Sequence, residues 1–326
     1  MPRIARLMLI PLLLVATLAF RPQAGSDFYR IVATLPDVMD GQPLVSLHYD
    51  WVSQRLFAGN RVGVYTADMS VAKPKMTGPI ARGLVGAIEV APDLGRVFYA
   101  GATEIGFVDE AGGKGVTIAD HYANSLAYEP TQHELYASFA LLNKVSVYDA
   151  QTGHFKQDIK LPGWSAFQLV AIPGKVFMLL QGKDGIYAIN PTTHTVVPWS
   201  VEGKITTPGR LEVDPKGRYL FFTRIGEVDA IDIASQREIG HIGLYGEPSA
   251  SFDPDSGLLV VGWLGNSPEQ RDVLQVLRPT NDGLEPVATL NNEAGGTTLV
   301  RTNYGFIQHG FHEFLVWSGV KSGTTR

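Results

Sequence analysis

Residues Leu211–Leu244 read LEVDPKGRYLFFTRIGEVDAIDIASQREIGHIGL. This stretch predicts four short strands: Leu211 to Asp214, Arg218 to Thr223, Val228 to Ile233 and Glu238 to Leu244. Its apolar residues are largely β-branched and aromatic, which suits a pleated, half-buried surface. Pro215-Lys216-Gly217 marks the first turn, proline presetting φ and glycine supplying the positive φ that follows. Four strands in about 34 residues, with no helical periodicity between them, is one antiparallel unit.

The unit recurs on both sides. Its third strand reads Val64-Tyr65, Phe107-Val108, Val147-Tyr148, Ala188-Ile189, Ala230-Ile231, Val276-Leu277 and Leu315-Val316, at steps of 43, 40, 41, 42, 46 and 39 residues. The second strand gives an independent measure at Phe57, Phe98, Tyr136, Phe177, Leu220, Leu259 and Phe306. Two rulers that agree on a period near 41 predict an all-β, seven-bladed β-propeller of four-stranded antiparallel blades. The turn before the second strand repeats as Pro92-Asp93-Leu94-Gly95, Pro130-Thr131-Gln132, Pro173-Gly174 and Pro254-Asp255-Ser256-Gly257. The last unit stops after its third strand, while Phe28–Leu35 (FYRIVATL) precedes the first unit and reads like a fourth strand. The N-terminal strand is therefore expected to complete the last blade and close the ring, removing free sheet edges.

The ends fall outside the propeller. Arg3 and Arg6 precede the apolar run Leu7–Phe20, the pattern of a secretory signal peptide over residues 1–24. An uncleaved membrane anchor is the alternative. The propeller then spans residues 25–320, and residues 321–326 are read as a disordered tail. Cysteine is absent, which excludes disulfides, thiolate metal sites and a cysteine nucleophile. Export without cysteine fits a bacterial periplasmic or secreted location. A net charge of −5 with no basic run gives no nucleic-acid surface. No later segment is long and apolar enough to span a bilayer.

The phrases YEPTQHELYASFALLNKVSVYDAQTG and VDPKGRYLFFTRIGEVDAIDIASQREIGHIGL resemble the YVTN-type periplasmic propeller repeats. The resemblance covers about residues 28 to 318. It implies a seven-bladed fold of the kind used by lactonases and by the propeller subunits of quinoprotein amine dehydrogenases. The WD dipeptide and Gly-His partner of WD40 repeats are missing.

In such a ring, the loops joining second to third strands, and fourth strands to the next first strands, gather on one face. Asn60, Tyr122, Asn124, Trp164, Trp263 and Glu293 are placed there as a funnel for a small polar ligand or a periplasmic protein partner, with the chain itself a monomer. His121, Arg224 and Glu247 form a candidate catalytic set, the histidine moving a proton and the arginine stabilising an oxyanion, as a lactone hydrolase would need. Metal-dependent gluconolactonases need a glutamate opening the first blade. This chain has Leu44-Val45-Ser46 there. His309-Gly310-Phe311-His312 reads as a two-residue hairpin loop, which would set the two imidazoles about 5 Å apart and let them share a divalent metal. Two solvated loop histidines are the alternative, and no other cofactor is implied. Glu89 and Glu212 share a position three residues before the turn proline and are candidates to face the central channel. Trp51 and Trp199 are read near exposed turns, where a redox subunit would carry an apolar partner surface.

The sequence thus leaves three readings: a binding or interaction module, a hydrolase of a lactone or small ester, and a propeller subunit of a periplasmic redox enzyme.

Overall fold

The computed structural model describes residues 29–36, 44–50, 52–71, 73–181, 185–199, 209–244, 248–253, 256–263, 273–291, 298–302, 305–309 and 313–319. Residues 1–24, read above as a signal peptide, residues 321–326, Trp51, Glu247, Glu293 and His312 lie outside the described residues. Among those described, regular structure is almost wholly strand, with one short 3-10 turn at Pro92–Leu94. No described helix is long and apolar enough to cross a membrane.

The chain opens with β1 (Tyr29–Pro36). Six four-stranded antiparallel sheets then follow, each from strands consecutive in the chain. The first holds β2 (Ser46–Asp50), β3 (Arg55–Gly59), β4 (Gly63–Asp68) and β5 (Met76–Arg82), and the second β6 (Val85–Ala91), β7 (Arg96–Gly101), β8 (Ile105–Asp109) and β9 (Val116–Ala119). The third holds β10 (Ser125–Glu129), β11 (Glu134–Ser138), β12 (Lys144–Asp149) and β13 (Phe155–Lys160), and the fourth β14 (Ala166–Ile172), β15 (Lys175–Leu180), β16 (Ile186–Ile189) and β17 (Val196–Trp199). The fifth holds β18 (Gly209–Val213), β19 (Tyr219–Arg224), β20 (Glu227–Asp232) and β21 (Arg237–Gly243), and the sixth β22 (Pro248–Asp253), β23 (Leu258–Trp263), β24 (Val273–Thr280) and β25 (Gly283–Asn291). The last group draws on both ends of the chain: β26 (Thr298–Thr302), β27 (Gly305–His309) and β28 (Glu313–Gly319) continue into β1, which pairs antiparallel with β28.

Both sequence rulers fall on the strands for which they were read. The first strands pack side by side, β2 to β6, β6 to β10, β10 to β14, β14 to β18, β18 to β22, β22 to β26 and β26 to β2. The core lies between sheets, so each cluster is built from two neighbours. One unites Phe177, Ile186, Trp199, Leu220 and Phe222 of the fourth and fifth sheets. Another unites Phe221, Val228, Phe252 and Leu259 of the fifth and sixth. Side chains alternate along each strand, so both faces of a sheet meet a neighbour; inner strands such as β11 and β15 are buried almost throughout, while fourth strands such as β13 and β21 are largely polar and exposed.

Turns follow from their own residues. Asp149 Oδ1 accepts from the amides of Gln151 and Thr152 at 3.0 and 2.7 Å, and Asn190 Oδ1 from those of Thr192 and Thr193 at 2.9 and 3.1 Å, the Asx geometry expected at the ends of third strands. Glu129 goes further. It accepts from Thr131 and Gln132 in its own turn and from the Gly174 amide of the next sheet, at 3.0, 2.9 and 2.8 Å. Gly240 is needed where fourth strands converge, because a Cβ there would stand 2.5 Å from Gly283 Cα.

Trp199 corrects an expectation. It is 2% exposed, with its ring edge-on to Phe177 at 4.8 Å, so it fills the gap between two sheets and offers nothing to a partner.

Candidate functional site: the loop face and the central space

Antiparallel sheets send their second-to-third loops and their outgoing fourth-to-first loops from the same end. Among the described residues, that end carries an unusual apolar load. Leu141 is 94% exposed, Trp164 79%, Ile225 63% and Phe167 52%, joined by Leu142 and Tyr122. These six belong to the third, fourth and fifth sheets or to the loops entering them, and Leu84 and Val45 extend the exposed apolar surface of that end to the first and second sheets. Loops at a protein surface are ordinarily polar, and several large apolar side chains exposed at one end make that end a candidate site of contact.

Local structure explains the presentation. Phe167 sits at a register shift, Ala166 pairing with Leu180 and Gln168 with Leu179, which leaves Phe167 as the extra residue of a β-bulge. Bulges re-aim side chains, and here the ring turns from the inter-sheet core to solvent. The Asn124 side-chain amide donates to Phe167 O at 2.8 Å and to Ala166 O at 3.3 Å, pinning the bulge to the third sheet. The Gln168 side chain accepts from Leu211 N at 2.7 Å and donates to Leu211 O at 3.1 Å. These two bonds tie β14 to β18, and Arg210, the residue before Leu211, is exposed.

The sequence-predicted residues divide accordingly. Tyr122 and Trp164 are on the face and open to solvent. Asn60 is fully buried, its Oδ1 accepting from Val62 and Gly63 at 2.8 and 3.1 Å, so it closes its own loop and presents nothing to a ligand. Asn124 is a tie between sheets. Trp263 ends β23, and nothing is described of its side chain. His121 hydrogen-bonds Tyr148 through Nε2 at 3.2 Å and lies against Phe139 at 5.2 Å between centroids. Arg224 pairs with Glu227 at 2.6 Å and with Asp229 at 3.6 Å. These two members of the catalytic set belong to the third and fifth sheets, with the fourth between them. Glu247 is outside the described residues.

The histidine hairpin has a different register from the one expected. His309 pairs with Phe314, so four residues separate the partners where a two-residue loop was read. Gly310, Phe311 and His312 lie outside the described residues. Among the described residues, no group of three or more His, Cys, Asp or Glu could hold a metal ion.

The central space between the first strands holds a second polar constellation. His48 Nε2 lies 3.8 Å from Glu89 Oε1, across β2 and β6. Burial pushes the Glu89 carboxyl up to about 8, against the opposing Val90 amide. Burial lowers the His48 imidazole to about 4, against the pull of Asp50. At neutral pH the pair is a protonated carboxyl beside a neutral imidazole, not an ion pair. Glu212 occupies the same register position in the fifth sheet and is half-buried.

A folded-state pKa above the unfolded one means that folded Glu89 holds a proton the unfolded chain has released. Its contribution is complete below about 4.5 and is lost as pH rises toward 8. Glu110 and Asp229, both raised to about 7 chiefly by burial, act in the same sense. His48 acts in the opposite sense between about 4 and 6.5. Urea unfolding of Glu89→Gln beside wild type, at pH 5, 7 and 8.5, is expected to show the variant gaining on the order of 2 kcal/mol relative to wild type across the range, after allowance for solvent contact. Parallel pH profiles would refute the assignment.

No protein-family model matches the sequence, and no curated protein matches it. The fold does have solved counterparts. A chain of the Kuenenia stuttgartiensis hydrazine synthase superposes with a TM-score of 0.67 at 16% identity, covering 85% of this chain and 96% of that one. A chain of the mitotic checkpoint complex gives 0.70 at 10% identity, covering 90% and 95%. U3-55K gives 0.66 at 10%, covering 87% and 91%. These are β-propeller proteins, and the all-β architecture of four-stranded antiparallel sheets described above is of that class. At these identities the likeness is one of fold.

Proposed function

We propose that the chain is an exported, seven-bladed β-propeller that acts as a binding or interaction module through its loop-rich face. Seven blades closed by the N-terminal strand is the reading supported by the seven groups of four strands, by the pairing of β1 with β28, and by the contact between β26 and β2. Export rests on the basic and apolar pattern of Arg3 to Phe20 and on the absence of cysteine. The YVTN-type resemblance agrees with both. Propeller folds serve widely as scaffolds, so the fold permits this reading without selecting it.

The observation that carries it is the set of large exposed apolar side chains at the loop-rich end, Leu141, Trp164, Ile225 and Phe167 foremost. A hydrolase would need His121, Arg224 and Glu247 to converge. His121 contacts Tyr148 and Phe139, Arg224 contacts Glu227 and Asp229, and Glu247 lies outside the described residues.

The test is a photo-crosslinking residue placed at Trp164 in the full chain, with Val52 as the control. Val52 is 74% exposed and lies in a turn at the other end of the first sheet. In periplasmic extract, a discrete adduct formed from position 164 and not from 52 is expected. Equal, diffuse labelling from both, or an unprocessed chain retained in the cytoplasm, would overturn the corresponding half of the proposal.

A further inference from the structure

We infer that Asp93, Tyr128 and His133 form a metal site at the joint between the second and third sheets, taking ferric iron through a carboxylate oxygen, a phenolate oxygen and an imidazole nitrogen. The site lies at the end opposite the loop-rich face and does not depend on the binding-module reading.

Three elements bring the donors together. Asp93 is carried by the short 3-10 turn Pro92–Leu94 between β6 and β7, Tyr128 by β10, and His133 by the turn that leads into β11. Tyr128 OH lies 2.8 Å from Asp93 Oδ2 and 2.8 Å from His133 Nδ1, and His133 Nδ1 lies 3.1 Å from Asp93 Oδ2. The three atoms thus make a nearly equilateral triangle. A cation with bonds of about 2.1 Å holds neighbouring ligands about 3.0 Å apart when octahedral and about 3.4 Å apart when tetrahedral. The triangle therefore matches one face of an octahedron. The same separations suit hydrogen bonds, so protons hold the donors in place until a cation displaces them. Asp93 and His133 are each 41% exposed, which leaves a cation and its water ligands a way in, while Tyr128 is 7% exposed and roots the site in the joint.

The fold does not itself demand a phenol here. At the register position of Tyr128, the second, fourth, fifth and sixth sheets carry the apolar Val90, Ala171, Val213 and Phe252, and the first carries Tyr49. A second group of tyrosine, histidine and carboxylate, Tyr136, His194 and Glu134, already contains a cation, the Lys156 ammonium. Asp93 forms no ion pair with a lysine or arginine among the described residues. Arg96, next along the chain, turns to Ala150 O at 2.8 Å and lies over the Phe107 ring at 4.1 Å.

Donor chemistry selects the ion. Two oxygens and one imidazole are hard to borderline donors and suit first-row metals in their higher oxidation states. A phenol in water releases its proton only at about pH 10. Near neutral pH it therefore ligates a strongly acidic cation, and trivalent iron meets that need better than divalent zinc or manganese.

The test is titration of the full chain, made without a histidine tag, with ferric nitrilotriacetate, read as bound iron per chain and as visible absorption. One iron per chain and the visible charge-transfer band of a ferric phenolate are expected. The band should vanish in Tyr128→Phe and persist in Tyr136→Phe. Iron affinity should fall more than about a hundredfold in Tyr128→Phe, Asp93→Asn and His133→Gln, a larger loss than removal of a group behind a ligand brings. Glutamine suits that position, since Gln54 holds the corresponding turn of the first sheet at a φ of 56° against 48° for His133. Iron that binds without the band, a band that survives Tyr128→Phe, or no stoichiometric iron would each overturn the inference. So would uptake of Zn2+ or Mn2+ at these residues with none of iron. Melting of each variant separates loss of a ligand from loss of fold, and if Tyr128→Phe melts early, His133→Gln at the surface carries the same test.

Discussion

Replacing Glu134 with alanine is expected to cost about 3 kcal/mol or more of stability, because it strands three donors around a buried site. The carboxyl is 1% exposed. It accepts from Tyr136 OH at 2.6 Å, from His194 Nε2 at 2.9 Å and from Lys156 Nζ. Burial alone would raise its pKa, but Lys156, Tyr136 and His194 together hold it below the ordinary carboxylate value. The stabilisation is therefore present above the unfolded value near 4.5 and is lost as pH falls through the lower folded value. His194 comes from the fourth sheet, so the cluster fastens one sheet to the next. Urea unfolding at pH 7 measures the effect. A loss under about 1 kcal/mol would mean that the cluster breaks even against its own desolvation. Glu134→Gln, which keeps the shape and some hydrogen bonding, should fall between.

A chain that begins after Pro36 is expected to lose its cooperative unfolding transition. β1 contributes a full strand to the last sheet, pairing from Tyr29 with Gly319 to Pro36 with Glu313. Its Leu35 is fully buried, and burial of one such side chain is worth about 2 kcal/mol. Tyr29 OH donates to Asp253 Oδ2 at 3.1 Å, tying the strand to a residue 224 positions away in the sixth sheet. Without β1 the edge of β28 is left unpaired, and an open edge templates aggregation. Circular dichroism melting and light scattering report both consequences. A truncated chain that melts as sharply as the full one would show that closure by β1 is dispensable. A synthetic Tyr29–Pro36 peptide that restores the transition would show that the strand acts by pairing alone.

Most of the strand pattern was legible because its causes are local. Alternation along Arg218–Thr223 and the Pro-Lys-Gly turn before it are properties of neighbouring residues. The observed strands β19 and β20 start and end within a residue or so of the reading. The candidate site was less legible. Tyr122 and Trp164 were found because large aromatics in loops stand out. Leu141-Leu142 broke the polarity expected of a loop and gave a signal that went unused. Phe167 gave none, since it is displayed by a bulge. Trp199 was misread for the complementary reason. The sequence shows only that it closes a short strand, and its neighbour in space is Phe177.

What the sequence determined by itself was the repeating unit, its turns and the spacing that brings seven similar units into one chain, because hydrophobic alternation and turn chemistry act over a few residues. What only the tertiary structure decided was the fate of each side chain at the joints between units. Asn124 was read as a ligand contact and is spent on Phe167, 43 residues on. Glu134 finds His194 at a separation of 60. Glu89 is proton-bound because β2 and β6 enclose it beside His48. Burial and charge pairing at these joints depend on which strands are neighbours and in what register. Those are relations between distant segments, and no local pattern encodes them.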